Sequence, residues 1–174
     1  MLTGNDIAIL MSIMGAAIAL AGFAGIVTSI DRSTVGASSA VITFRMRNLI
    51  ICAIASGFLA MFPILLDGFG AAHESFWQLA AMVGAITVAL QVIGAFIGRM
   101  LIRGRDQGIS RTFFAVNMML GSATVATEIV GAAGWIPARG AYFVGLLFLL
   151  YVMATLFYRM IHMADEAARG AAQR

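Results

Sequence analysis

Five apolar runs, each about as long as a hydrocarbon core is thick, leave this chain few folds to adopt. They cover approximately Ile7–Ile30, Leu49–Leu66, Phe76–Gly98, Thr112–Gly134 and Ala141–Ile161. A helix crossing a bilayer needs about 20 residues. Within lipid, only helices and closed barrels satisfy every backbone N–H and C=O. Runs of this length without period-two alternation are helical. The fold class is therefore all-α: a polytopic membrane protein with a five-transmembrane-helix bundle, residues 1–174 forming a single domain. Composition agrees, with 61% hydrophobic residues and only 11% charged ones, where soluble domains carry about 25% charge. No polar stretch is long enough to form an extramembrane domain. The first run exceeds the roughly 7–15 apolar residues of a signal-peptide core, and Asp6 stands where a basic region would be, so it reads as a retained span.

The charges between the runs alternate. The net +3 is made with arginine alone, as the chain has no lysine. Asp31, Arg32, Arg45 and Arg47 separate spans one and two, and Asp67, His73 and Glu74 separate spans two and three. Arg99, Arg103, Arg105, Asp106 and Arg111 follow span three, and Arg139 is alone between spans four and five. Arg159, Arg169 and Arg174 outnumber Asp165 and Glu166 in the tail. The positive-inside rule then expects the first and third connections and the C-terminus in the cytoplasm and the N-terminus outside, with Arg139 as the exception. Ser38 or Ser39 can cap a helix carrying Arg45 and Arg47 ahead of span two. Arg45, Arg47, Arg99, Arg103, Arg105 and Arg111 also suit anionic lipid headgroups or phosphate. Trp77 and Trp135 suit an outer interface, Gly134–Trp135–Ile136–Pro137 reads as a tight turn, and Pro63 as a kink or early stop. Helical spans with this composition point to a bacterial inner (plasma) membrane, since outer-membrane proteins are usually barrels.

Glu128 is the one charged residue in the interior of any of the five runs, Arg159 standing at the very end of the fifth. Steps of four, three, four and three connect Asn117, Gly121, Thr124, Glu128 and Gly131, which puts them on one stripe of a helix. A carboxyl near the middle of a lipid-facing helix costs roughly 2.5 kcal/mol or more, so the stripe should face protein or water. By helical rise, Glu128 lies about 9 Å inside the outer boundary. It is a candidate proton or cation group, with Thr124 and Asn117 as neutral oxygens deeper along the path. The alternatives are a structural hydrogen-bonded carboxyl or an ion pair with Arg139.

Span three carries Gly84, Thr87, Gln91, Gly94 and Gly98 on one face. Gln91 near mid-span can face Asn117 or Thr124 across a shared polar cavity, while Gly94 and Gly98 form a GxxxG packing pair. Span one has Ser12, Gly15, Ala16, Ala19 and Gly22 on one side, and Gly15, Ala19 and Gly22 are expected to pack helices within or between subunits. Cys52, the lone cysteine, excludes an intrachain disulfide and reads as a packing residue. His73 and His162 fall near opposite ends of the bundle, too far apart to share a haem or metal. No serine, histidine and acid converge, so no catalytic role, metal or cofactor is expected. Tyr151, Thr155, Tyr158 and His162 read as an inner aromatic belt.

The function expected from these residues is a small homo-oligomeric channel or transporter for a cation or proton. Its path lies along span four, with Glu128, Thr124, Asn117 and Gln91 lining it. The alternative is a non-catalytic accessory or assembly subunit of a larger membrane complex. Partners are then anionic membrane lipids on the cytoplasmic side and either further copies or a complex partner, with no nucleic acid.

Overall fold

The computed structural model describes residues 2–35, 40–70, 75–102 and 111–172. These form five helices: α1 (Gly4–Val35), α2 (Ala40–Gly68), α3 (Phe76–Ile102), α4 (Arg111–Ala132) and α5 (Ala138–Ala172). All five are long and apolar enough to cross a membrane, the pattern of a multi-pass helical membrane protein. The helices outrun the apolar stretches that mark them, since propensity and capping rather than hydropathy end a helix. Thus α2 begins at Ala40 instead of Leu49, and α5 continues to Ala172 instead of Ile161. Ser38, Ser39, His73, Glu74, Arg103, Arg105 and Asp106 lie outside the described residues.

Side-chain contacts give the helices alternating directions. The start of α1 meets the end of α2, where the Leu2 N–H donates to Asp67. The end of α3 meets the starts of α2 and α4, with Gly98 against Phe44 and the Arg99 guanidinium 4.2 Å from the Phe114 ring. One end of the bundle thus gathers Asp6, Asp67, Trp135 and Arg139, and the other gathers Arg45, Arg47, Arg99, Arg111 and Arg159. Helix α5 is the hub and packs against all four others, whereas among the described residues α4 packs only against α3 and α5. The apolar core follows that plan, joining Leu10 and Ala17 of α1, Leu59 of α2, Val88 of α3, and Leu146, Leu149 and Met153 of α5. Large apolar side chains face outward around the bundle, among them Ile54, Leu90 and Met119. In water such a surface would be a continuous adhesive patch, whereas lipid tails can solvate it.

Local chemistry sets the ends at the Asp6 side. Thr3 and Asp6 form a capping box: the Thr3 N–H and hydroxyl donate to the Asp6 carboxylate, and the Asp6 N–H donates to the Thr3 hydroxyl. The same carboxylate takes the Arg139 guanidinium at 2.5 Å. Arg139 is therefore the partner of Asp6, not of Glu128. The turn at Gly134–Pro137 is a Schellman closure. The Trp135 N–H donates to Val130 and the Gly134 N–H to Gly131, and Gly134 has the positive φ of 78° that this closure favours.

Pro63 neither stops α2 nor leaves its backbone open. Proline has no N–H, so the carbonyl four residues earlier, at Leu59, loses its helical donor. The Tyr142 hydroxyl from α5 donates to that carbonyl instead. Tyr142→Phe should therefore destabilise the bundle by about 1–3 kcal/mol through the stranded acceptor. In a Pro63→Ala background the same change should cost little, because the alanine N–H reclaims Leu59. Thermal melts of the four chains in mild detergent test the pairing, and an equal cost in both backgrounds would refute it.

Candidate functional site

The buried residues of α4 are Asn117, Gly121, Thr124, Glu128 and Gly131. The helix therefore turns its polar and glycine stripe inward and its large apolar residues, such as Met119 and Ile129, outward. The stripe is covered by α3 and α5 of the same chain. It lines a seam within the chain.

Glu128 is fully buried near one end of this seam. Two glycines make room for it. A β-carbon added at Gly84 of α3 or Gly145 of α5 would collide with Glu128 Oε1, and the Tyr142 ring closes a third side. Neither carboxyl oxygen has a hydrogen-bond partner among the described residues. The Tyr142 hydroxyl is turned away toward Leu59. Among the described residues the carboxyl is flanked by carbon, so a carboxylate there would lack the protein donors or countercharge that burial demands.

One turn further along, the Thr124 hydroxyl donates to the Leu120 carbonyl of its own helix. Beyond it, Gly121 abuts Val92 and Phe148: a β-carbon at Gly121 would stand 2.5 Å from Val92 Cγ2 and 3.0 Å from Phe148 Cζ. Val92, Gly121 and Phe148 form an apolar constriction. Past the constriction, toward the arginine-rich end, lies a cavity of about 70 Å³. Val92 and Phe148 close its inner limit, and Gln91 and Asn117 line it together. The Asn117 amide nitrogen donates to the Phe113 carbonyl at 2.9 Å, while its Oδ1 is buried without a partner among the described residues.

Arg45, Asn48 and Arg159 complete the polar lining of the cavity. Arg45, placed by sequence on a helical extension ahead of span two and among the arginines facing anionic headgroups, is only 5% exposed. The cause is helical phase. Arg45, Asn48, Cys52, Ser56, Leu59 and Pro63 follow steps of three and four and are all buried, so α2 carries an inward stripe like that of α4. That spacing was the signal available for Asn48, and the charge-topology view of Arg45 obscured it. Arg159, expected only as a charge at the end of span five, stacks over Phe113 at 3.8 Å and lines the cavity.

The four expected path residues are not one site. Gln91 and Asn117 share a cavity, whereas Glu128 lies eleven residues from Asn117, about 16 Å along the axis. Among the packing residues, Gly98 meets the Phe44 ring, and an added β-carbon there would stand 3.0 Å from an Arg47 guanidinium nitrogen. Gly15, Ala19, Gly22 and Gly94 are exposed instead, and the three glycines have no neighbour within 4 Å of an added β-carbon. Arg47 and Arg111 are exposed, and Arg103 and Arg105 lie outside the described residues. Gly84, Gly145 and Tyr142 bear on Glu128, and only Gly84 was visible on a helix face beforehand. No protein-family model, curated protein or solved structure matches this chain.

Proposed function

We propose that this chain is a small multi-pass membrane transporter or channel that moves protons, with Glu128 as the group that takes up and releases them. The observation that carries the reading is a fully buried carboxyl, unpartnered among the described residues, in a pocket that two glycines leave open for it. An intramembrane acid is expensive and by default functional. A proton suits this pocket better than a metal cation. Gly84, Gly145 and the Tyr142 ring flank the carboxyl, so a metal ion beside it would lack the several oxygen ligands it requires.

In this scheme the arginine-rich end is cytoplasmic and the N-terminus outside, in a bacterial inner membrane. Arg47, Arg99 and Arg111 then stand near anionic headgroups. Arg139, against the charge rule, is matched by Asp6. Reporters fused to the two termini should report opposite faces.

The function is tested in liposomes holding a pH-sensitive dye, with the voltage clamped by potassium and an ionophore. Wild-type protein should dissipate a pH gradient, and the near-isosteric Glu128→Gln should reduce the rate by about a hundredfold, the lower range for a positioned acid–base group. Equal rates for the two proteins, or no flux above protein-free vesicles, would end the transport proposal.

One observation favours a second reading, an accessory subunit. Ser12, Gly15, Ala16, Ala19 and Gly22 form an exposed small-residue face on α1, a shape that suits close approach of another helix. Absence of flux together with stoichiometric co-purification of a membrane partner would favour it. Self-association through the same face would instead fit a homo-oligomeric transporter.

A further inference from the structure

The cavity at the arginine-rich end has no part in holding Glu128, and its chemistry differs from that of the seam. Its fifteen described lining residues include two arginines, three primary amides and no acid. Arg45, Asn48, Gln91 and Asn117 are each at least nine-tenths buried. Four different helices contribute: α2 brings Arg45 and Asn48, α3 brings Gln91, α4 brings Asn117 and α5 brings Arg159. The Arg45 and Arg159 charges repel each other. Two like charges enclosed with amide dipoles are stabilised when an anion sits between them, and guanidinium forks fit the planar or tetrahedral oxygens of carboxylate and phosphate.

Two further observations narrow the ligand. Asn117 Oδ1 is buried with no donor among the described residues, so a ligand that also carries an O–H or N–H would satisfy it. The rest of the wall is mostly apolar, with Phe44, Phe113, Phe114 and Phe148 among its residues. Phe113 and Phe114 are held by the cations stacked on them, Arg159 and Arg99. A cavity of about 70 Å³ holds several waters or one compact oxyanion, but not an acyl chain.

We propose that this cavity is a binding site for an oxyanion head, phosphate or carboxylate, that bears a neighbouring hydrogen-bond donor. Arg45 and Arg159 clamp the anion, Asn48 and Gln91 supply amide donors, and Asn117 Oδ1 accepts from the ligand's O–H or N–H. The anion comes either from a membrane lipid, whose tails stay outside against the apolar helix faces, or from a free small molecule. The site stands independently of proton movement at Glu128.

Thermal unfolding of the full chain in mild nonionic detergent tests this, because a ligand that binds only the folded state raises the melting temperature. The probes are a short-chain phosphatidylglycerol, its phosphatidylcholine counterpart and inorganic phosphate. Phosphatidylglycerol should raise the melting temperature in a saturable way and phosphatidylcholine should not. A shift with inorganic phosphate as well assigns the site to free anions too, and a shift with the lipid alone assigns it to lipid. Arg159→Gln, at a half-buried position, should weaken apparent affinity by about tenfold or more, equivalent to roughly 1.4 kcal/mol. Arg45→Gln should do the same, and if that chain does not melt cooperatively Arg159→Gln decides the matter. Arg47→Gln and Arg111→Gln, at exposed arginines, should leave the affinity unchanged. No shift with any anion overturns the site. So does a shift that persists undiminished in Arg159→Gln, or one that disappears equally with the exposed arginines.

Discussion

Adding one methyl group at each of two glycines, Gly84→Ala with Gly145→Ala, is expected to destabilise this bundle strongly, and removing Glu128 should reverse the loss. Glycine-to-alanine changes inside a helix ordinarily stabilise, by roughly 0.5–1 kcal/mol through backbone entropy. At these two positions the sign should invert, because an added β-carbon on either side overlaps the Glu128 carboxyl. A single methyl leaves the carboxyl some freedom to swing toward the opposite glycine. Two methyls close both directions, and each overpacked contact costs about 1–3 kcal/mol. Glu128→Ala in the same chain empties the pocket, so the two methyls then fill space they had contested. Gly94→Ala, with nothing within 4 Å of its added β-carbon, is the control and should not destabilise. Melting temperatures of these chains in one detergent check the set. If the double substitution is neutral, or the triple substitution is no better than the double, the glycines do not make the acid's pocket.

Phe148→Ala is the second large effect. The ring forms, with Val92 and Gly121, the apolar layer between the polar cavity and the turn that carries Thr124 and Glu128. Phe148 is 8% exposed, and truncating a buried phenylalanine costs about 3–5 kcal/mol. In the proton-transport scheme the same truncation joins the cavity to the seam and lets water approach Glu128. Stability and flux should therefore move in opposite directions, with a lower melting temperature and faster collapse of a pH gradient in liposomes. Phe148→Leu should recover much of both. A variant that is destabilised yet leaves the flux unchanged would mean that this layer does not limit access to the acid.

Much of the candidate site was legible because burial on α4 is periodic. The stripe from Asn117 to Gly131 was found by counting, and all five of its residues face inward. What counting could not supply was the opposite wall. Gly145 lies in an apolar run with no polar neighbour to mark it, and its importance comes from one close approach between α4 and α5. Tyr142 was equally silent, because its partner is a carbonyl eighty-three residues away that Pro63 had freed. Arg45 was misplaced for a different reason. A positive charge near a helix end satisfies the topology rule whichever way it points, and only the phase of α2 against α3 and α5 turns it inward.

Sequence by itself determined that this chain forms five membrane-length helices, that α4 has one polar face, and that arginine concentrates at one end. Those properties are local: they follow from run length, helical period and the cost of polar groups in hydrocarbon, each computable from neighbours along the chain. Tertiary structure alone decided which side chains share a space. It set Glu128 between two glycines, gave Arg139 to Asp6, and separated Asn117 and Gln91 from the acid by an apolar layer. Such pairings depend on the relative rotation and depth of helices packed around α5. In lipid, where apolar burial does not select one rotation over another, fine steric fit and hydrogen bonds make that choice.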